Sequence, residues 1–79
     1  MTTKFEIGQE VVRTKGDYVV GRTGRILDLD LTKGRAQVQW GTKSWVSFNS
    51  IELISIPYKI IPSHTNKKGN FVYPKYIKL

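Results

Sequence analysis

The stretch from Gly8 to Trp40, GQEVVRTKGDYVVGRTGRILDLDLTKGRAQVQW, decides the fold. Two short β-type runs flank a Gly-rich, basic loop, and a third run alternates apolar and polar residues up to an aromatic. In the second run, Arg25 to Leu31, the residues Leu27, Leu29 and Leu31 share one face, while Ile26, Asp28 and Asp30 share the other. In the third, Arg35 to Trp40, the residues Ala36, Val38 and Trp40 alternate with Arg35, Gln37 and Gln39. The apolar period is two rather than 3.6, which is strand patterning. Thr32-Lys33-Gly34 joins the two runs with hairpin chemistry, since Gly accepts a positive φ. Such runs predict a small, strongly curved antiparallel barrel.

Outward from this stretch the reading continues in strands. Glu10 to Thr14 is a first strand after a turn at Gly8, and Lys15-Gly16-Asp17 turns into a short extended piece, Tyr18-Val19-Val20. Gly41-Thr42 leads into a fourth strand, Lys43 to Phe48, with Val46 and Phe48 on one face and Lys43, Trp45 and Ser47 on the other. Asn49 to Glu52 suits one 3₁₀ turn capped by Asn or Ser, and Leu53 to Ile56 forms a fifth strand that Pro57 ends. Beyond it, Tyr58–Pro62 and Asn70–Pro74 are matched to pair as a hairpin or strand extension across the loop 63–69. No window sustains helical spacing. The expected architecture is all-β: a five-stranded barrel over 1–56, with a basic extension over 57–79 packed on it.

Size and charge narrow the function. A chain of 79 residues holds one modest core. It has no cysteine, so no disulfide or thiolate metal site staples it. The N-terminal residues lack an apolar run of signal-peptide length, and no segment reaches the roughly 20 apolar residues of a membrane span. A cytoplasmic protein without membrane contact is expected. The net charge is +7, divided unevenly: residues 1–53 hold eight Lys/Arg and six Asp/Glu, residues 54–79 five Lys and no acid. A one-sided positive field attracts polyanions.

Gly8-Gln9-Glu10-Val11-Val12, then Gly21-Arg22-Thr23-Gly24-Arg25-Ile26, then Ala36-Gln37-Val38 resemble the KOW motif of ribosomal proteins and transcription elongation factors. That motif has a G-x-x-V strand, a basic loop, G-x-x-G-x-I/V and a strand ending in V-x-V. The resemblance spans Phe5 to Ile56 and implies an SH3-like barrel. It further implies contacts to RNA, DNA or a protein neighbour through the loops between strands. By position, nucleic-acid contacts would fall on Lys15, Arg22 and Arg25, with Arg13 beside them. Asp28 and Asp30 depart from the pattern, because carboxylates there repel phosphate.

The residues themselves offer two candidate sets. Arg22, Arg25, Arg35, Lys43 and Trp45 are placed to share one side, where cations neutralise phosphates and a ring stacks on a base. Trp45 is out of phase with Val46 and Phe48, so it stands on the surface unless the extension covers it. Trp40 ends an inward row and belongs to the core. The second set is Lys59, Lys67, Lys68, Lys75 and Lys78 with Tyr58, Tyr73 and Tyr76, in which Lys67 and Lys68 sit at a loop tip.

Chemistry has little support. His64 has no carboxylate or nucleophile beside it in sequence, and a general base needs both a partner and a pocket. Gly21-x-x-Gly24 precedes no helix, so no dipole is aimed at a phosphate. The chain is similar in size and barrel type to the plasmid-borne type II dihydrofolate reductases. Their V-Q-I-Y segment has only Val38-Gln39-Trp40-Gly41 as its counterpart, in the wrong strand context. A non-enzymatic protein with no cofactor and no metal is expected. The expected partner is a nucleic acid, DNA or RNA; the alternative is a protein, such as a partner enzyme, docked in a groove lined by Tyr18, Trp45 and Phe48.

Overall fold

The computed structural model describes residues 3–79. Every regular element is a strand or a single 3₁₀ turn, so the fold is all-β. Five strands form one antiparallel sheet: β1 (Glu10–Arg13), β2 (Thr23–Asp30), β3 (Arg35–Gln39), β4 (Lys43–Ser47) and β5 (Ile51–Leu53). Their order across the sheet is β4-β3-β2-β1-β5. The short links between β2, β3 and β4 keep sequential strands adjacent, and β5 crosses back to pair with the free side of β1.

One irregularity in β2 sets which side chains point inward. Ile26 pairs with Val38 and Asp28 with Gln37, so Leu27 is an extra residue in the ladder. A bulge of this kind shifts the alternation by one. Strict alternation would place Ile26 with the two aspartates. The bulge instead turns both Ile26 and Leu29 inward and leaves Asp28 outside. Leu31 stays exposed at the strand's end, so the face expected for Leu27, Leu29 and Leu31 does not form. The resulting core consists of Phe5, Val11, Ile26, Ala36, Val38, Val46 and Ile51, with Leu29, Trp40, Phe48 and Leu53 packed against it.

Two other segments differ from the sequence expectation. Asp17–Val19 is a 3₁₀ turn and not an extended piece. Both sides of β1 are already taken by β2 and β5, so this segment has no strand to join. Its amides turn to local carbonyls instead, Val19 to Gly16 and Val20 to Asp17. The second 3₁₀ turn covers Phe48–Ser50, with Ser47 Oγ accepting the Asn49 N–H at 3.3 Å. The chain therefore reverses earlier than expected, and β5 begins at Ile51 instead of Leu53.

The last third is a two-stranded ribbon. β6 (Tyr58–Ile61) pairs with β9 (Lys75–Lys78), and β7 (His64–Thr65) with β8 (Phe71–Val72). Both ladders share one register, in which Pro62 falls opposite Pro74. Neither proline has an N–H to donate, so the ladder breaks there. The pairing differs from the expected match of 58–62 with 70–74 because Asn66 closes the tip. Its Oδ1 accepts the N–H groups of Lys68 and Asn70, both at 3.0 Å.

The ribbon root lies on the outer face of β1. Val12 points away from the core occupied by Val11, yet it is fully buried. Ile60 lies against Gly21, beside the segment that pairs with Arg13, and Lys78 reaches Glu52 on β5 at 4.0 Å. A Cβ on Gly21 would meet Ile60 at 3.2 Å. The molecule is elongated, 45 × 25 × 21 Å.

Gly24 marks the tightest point of the sheet. A Cβ there would sit 2.7 Å from the Gln39 carbonyl oxygen and 2.8 Å from Trp40 Cε3. The backbone oxygen cannot yield by a rotamer change. Gly24→Ala is expected to lower stability by about 1–3 kcal/mol, the usual cost of overpacking, measured by urea unfolding.

Candidate nucleic-acid interface

The nine cationic and aromatic residues expected at a site divide among four places. Arg25, Arg35, Lys43 and Trp45 share the outer face of β2, β3 and β4. Arg25 pairs across to Gln39 and Gln39 to Lys43, while Trp45 stands opposite Gln37 and next along from Arg35. This face is less basic than the sequence suggests. Arg25 lies 3.6 Å from Glu10, and Arg35 lies 4.0 Å from Asp30. Asp28 occupies the same cross-strand row as Trp45. Trp45 is 42% exposed, and the C-terminal ribbon does not cover it. The Arg35 guanidinium rests over its ring at 5.4 Å, a cation–π contact that occupies both groups.

Arg13 and Arg22 point elsewhere. They are neighbours on β1 and at the start of β2, joined by the Arg13 N–H bond to the Arg22 carbonyl. Both line a small cavity with Val19, Trp40, Thr42 and Ser44. Trp40 packs against the core as its phase predicts, but its indole N–H is sealed from water without a partner. Lys15 borders a different, open groove of about 600 Å³ with Lys4, Phe5, Phe48 and Tyr76.

Lys67 and Lys68 occupy the ribbon tip, in the turn closed by Asn66. Close along the same ribbon lies an aromatic cluster. Tyr18, in the first 3₁₀ turn, packs on Phe71 at 5.8 Å and on Tyr73 at 4.9 Å between ring centroids. Phe71 and Tyr73 meet edge to face at 5.2 Å. All three rings remain exposed: Tyr18 72%, Phe71 52% and Tyr73 41%. Three large rings touching each other yet open to solvent form an uncommon surface, one suited to stacking. Hydrogen bonding and charge interaction with Tyr18, then burial and the charge of Asp17, raise the Tyr73 phenol above its ordinary pKa.

The expected groove of Tyr18, Trp45 and Phe48 does not form. Phe48 packs on Phe5 at 5.2 Å, and Trp45 is engaged by Arg35. Tyr18 and Phe71, central to the exposed cluster, were not expected together, because no local pattern links residues so far apart in the chain. His64 Nδ1 lies 3.1 Å from the Pro62 carbonyl oxygen on the ribbon. Among the described residues no group of three or more His, Cys, Asp or Glu side chains is placed to hold a metal. Among them also, no helix is long and apolar enough to cross a membrane.

One carboxylate ties both chain ends to the sheet. Glu52 accepts Lys4 at 2.6 Å and lies 4.0 Å from Lys78. Burial pushes its pKa up, but hydrogen bonds from Lys4 and the Leu53 N–H, with the charges of Lys4 and Lys78, outweigh that and lower it. A carboxyl whose pKa is depressed on folding stabilises the fold above its unfolded pKa and loses that contribution as pH falls. Thermal stability is expected to decline as the pH drops below about 4.5. Glu52→Gln is expected to be less stable at neutral pH and to show a shallower acid decline, read by circular dichroism melts across pH.

The chain matches no family model, no curated protein and no solved structure.

Proposed function

We propose that the chain is a non-catalytic nucleic-acid-binding module, an SH3-like barrel that presents a basic aromatic ribbon to its ligand. The strand order β4-β3-β2-β1-β5, the bulge in β2 and the 3₁₀ turn before β5 support the barrel reading. The observation that carries the functional reading is the ribbon itself. Residues 57–79 hold five lysines and no acid, and they bring Phe71 and Tyr73 against Tyr18 as exposed rings.

Lysines there neutralise phosphates by releasing counterions, and the rings offer faces to unstacked bases. Bases are accessible in this way in single strands, so a single strand is the favoured ligand. The outer face of β2–β4 is a weaker candidate, since Glu10, Asp28 and Asp30 offset its cations.

The test is titration of single-stranded and duplex DNA and RNA at two salt concentrations. Single strands are expected to bind more tightly, with affinity falling steeply as salt rises. The double variant Lys67→Gln/Lys68→Gln is expected to reduce the salt slope by about 1.4, roughly 0.7 for each lost phosphate contact. Phe71→Leu keeps an apolar side chain but removes the ring, and is expected to weaken single-strand binding by about tenfold or more. No detectable binding at low salt ends the proposal.

A further inference from the structure

The inner face of a curved sheet is normally apolar along its whole length. Here the inward rows run out at one end into polar residues. On β1 the inward position after Val11 is Arg13, and on β4 the one before Val46 is Ser44. On β3 the row Ala36, Val38 ends in Trp40. On β2 the inward row runs back from Ile26 through Gly24 to Arg22, which is joined to Arg13 across the ladder.

Four neighbouring strands thus send Arg13, Arg22, Trp40 and Ser44 to the same end, and Thr42 adds its hydroxyl. Together with Val19 they enclose a cavity of about 110 Å³. That is the space of a few waters. It is large enough for one tetrahedral oxyanion.

The lining is almost wholly hydrogen-bond donors. Two arginines, a tryptophan and two hydroxyl-bearing residues line it, with no carboxylate among them. Arg13 uses Nε on the Lys15 carbonyl at 2.8 Å, and its terminal nitrogens have no partner among the described residues. Arg22 has no carboxylate within 4.0 Å among the described residues. The Trp40 indole N–H is also unpartnered. Its Cε3 edge lies against Gly24, which turns the Nε1 edge away from the β2 backbone. That N–H is closed to a water-sized group, so Trp40 serves as a wall of the pocket and as its reporter.

We infer that this mouth of the sheet is a binding pocket for a single phosphate group, held by Arg13 and Arg22 with Thr42 and Ser44 as further donors and Trp40 as one wall. Arginine suits the task because its planar fork gives two parallel bonds to one phosphate. The pocket borders the ring cluster through consecutive residues, Val19 lining the one and Tyr18 standing in the other. Only the origin of the phosphate rests on the nucleic-acid reading; the pocket itself does not.

The experiment follows the Trp40 indole N–H by nuclear magnetic resonance, assigned by comparison with Trp45→Phe. Three ligands are titrated at low salt: inorganic phosphate, an oligonucleotide with a 5′-phosphate, and the same strand without it. Inorganic phosphate is expected to move the Trp40 signal in a saturable way and leave Trp45 in place. Arg22→Gln is expected to weaken that binding by about tenfold, the effect of one charge-assisted bond pair. Lys43→Gln, which removes the same charge outside the pocket, is expected to leave it nearly unchanged.

A tighter complex with the 5′-phosphorylated strand assigns the pocket to strand ends. Equal affinity of the two strands, each moving Trp40, assigns it to phosphates within the strand. Movement by inorganic phosphate alone assigns it to free phosphate. The inference is overturned if phosphate leaves the Trp40 signal in place, or if Arg22→Gln and Lys43→Gln weaken binding equally. Loss of strand binding in Lys67→Gln/Lys68→Gln, with the phosphate titration intact, leaves it standing.

Discussion

Room for Trp40 is the constraint on which the rest of the sheet depends. The indole crosses from the end of β3 to the start of β2, and only a residue without a side chain lets it lie there. That contact brings the end of β3 against β2 at the point where β1 also pairs. A few residues further on, the bulge at Leu27 restores the inward phase that the core needs. Hydrophobic burial supplies the drive, but these two departures from a regular ladder decide which side chains take part in it.

The fold class was legible because period-two patterning survives in β3 and β4, where Ala36, Val38 and Val46 all reach the core. The phase of β2 was not legible. A bulge has no signature in Arg25–Leu31, and a single inserted residue exchanges the two faces. The ribbon was legible as a hairpin but not in register, since the register was set by one side chain, Asn66, that closes the tip over its own backbone.

The candidate site was legible in composition more than in geometry. The lysine excess over 54–79 is plain from the chain. The neutralisation of Arg25 by Glu10 and of Arg35 by Asp30 depends on cross-strand register, which a sequence does not display. The meeting of Tyr18 with Phe71 and Tyr73 is a tertiary contact between the first loop and the last ribbon. Arg13 did carry a signal of its own: two residues after Val11, it stands where an inward apolar residue belongs.

The facing prolines of the ribbon have a mechanical consequence. Pro62 and Pro74 leave a gap in the ladder between the docked root and the outer half. Swivelling about that gap breaks no hydrogen bond on either side. The root stays clamped by Ile60 and Lys78. The ribbon is therefore built as two ladders on one joint, and what steadies the outer one against the body is the packing of Phe71 on Tyr18, not the hydrogen bonds of the ribbon.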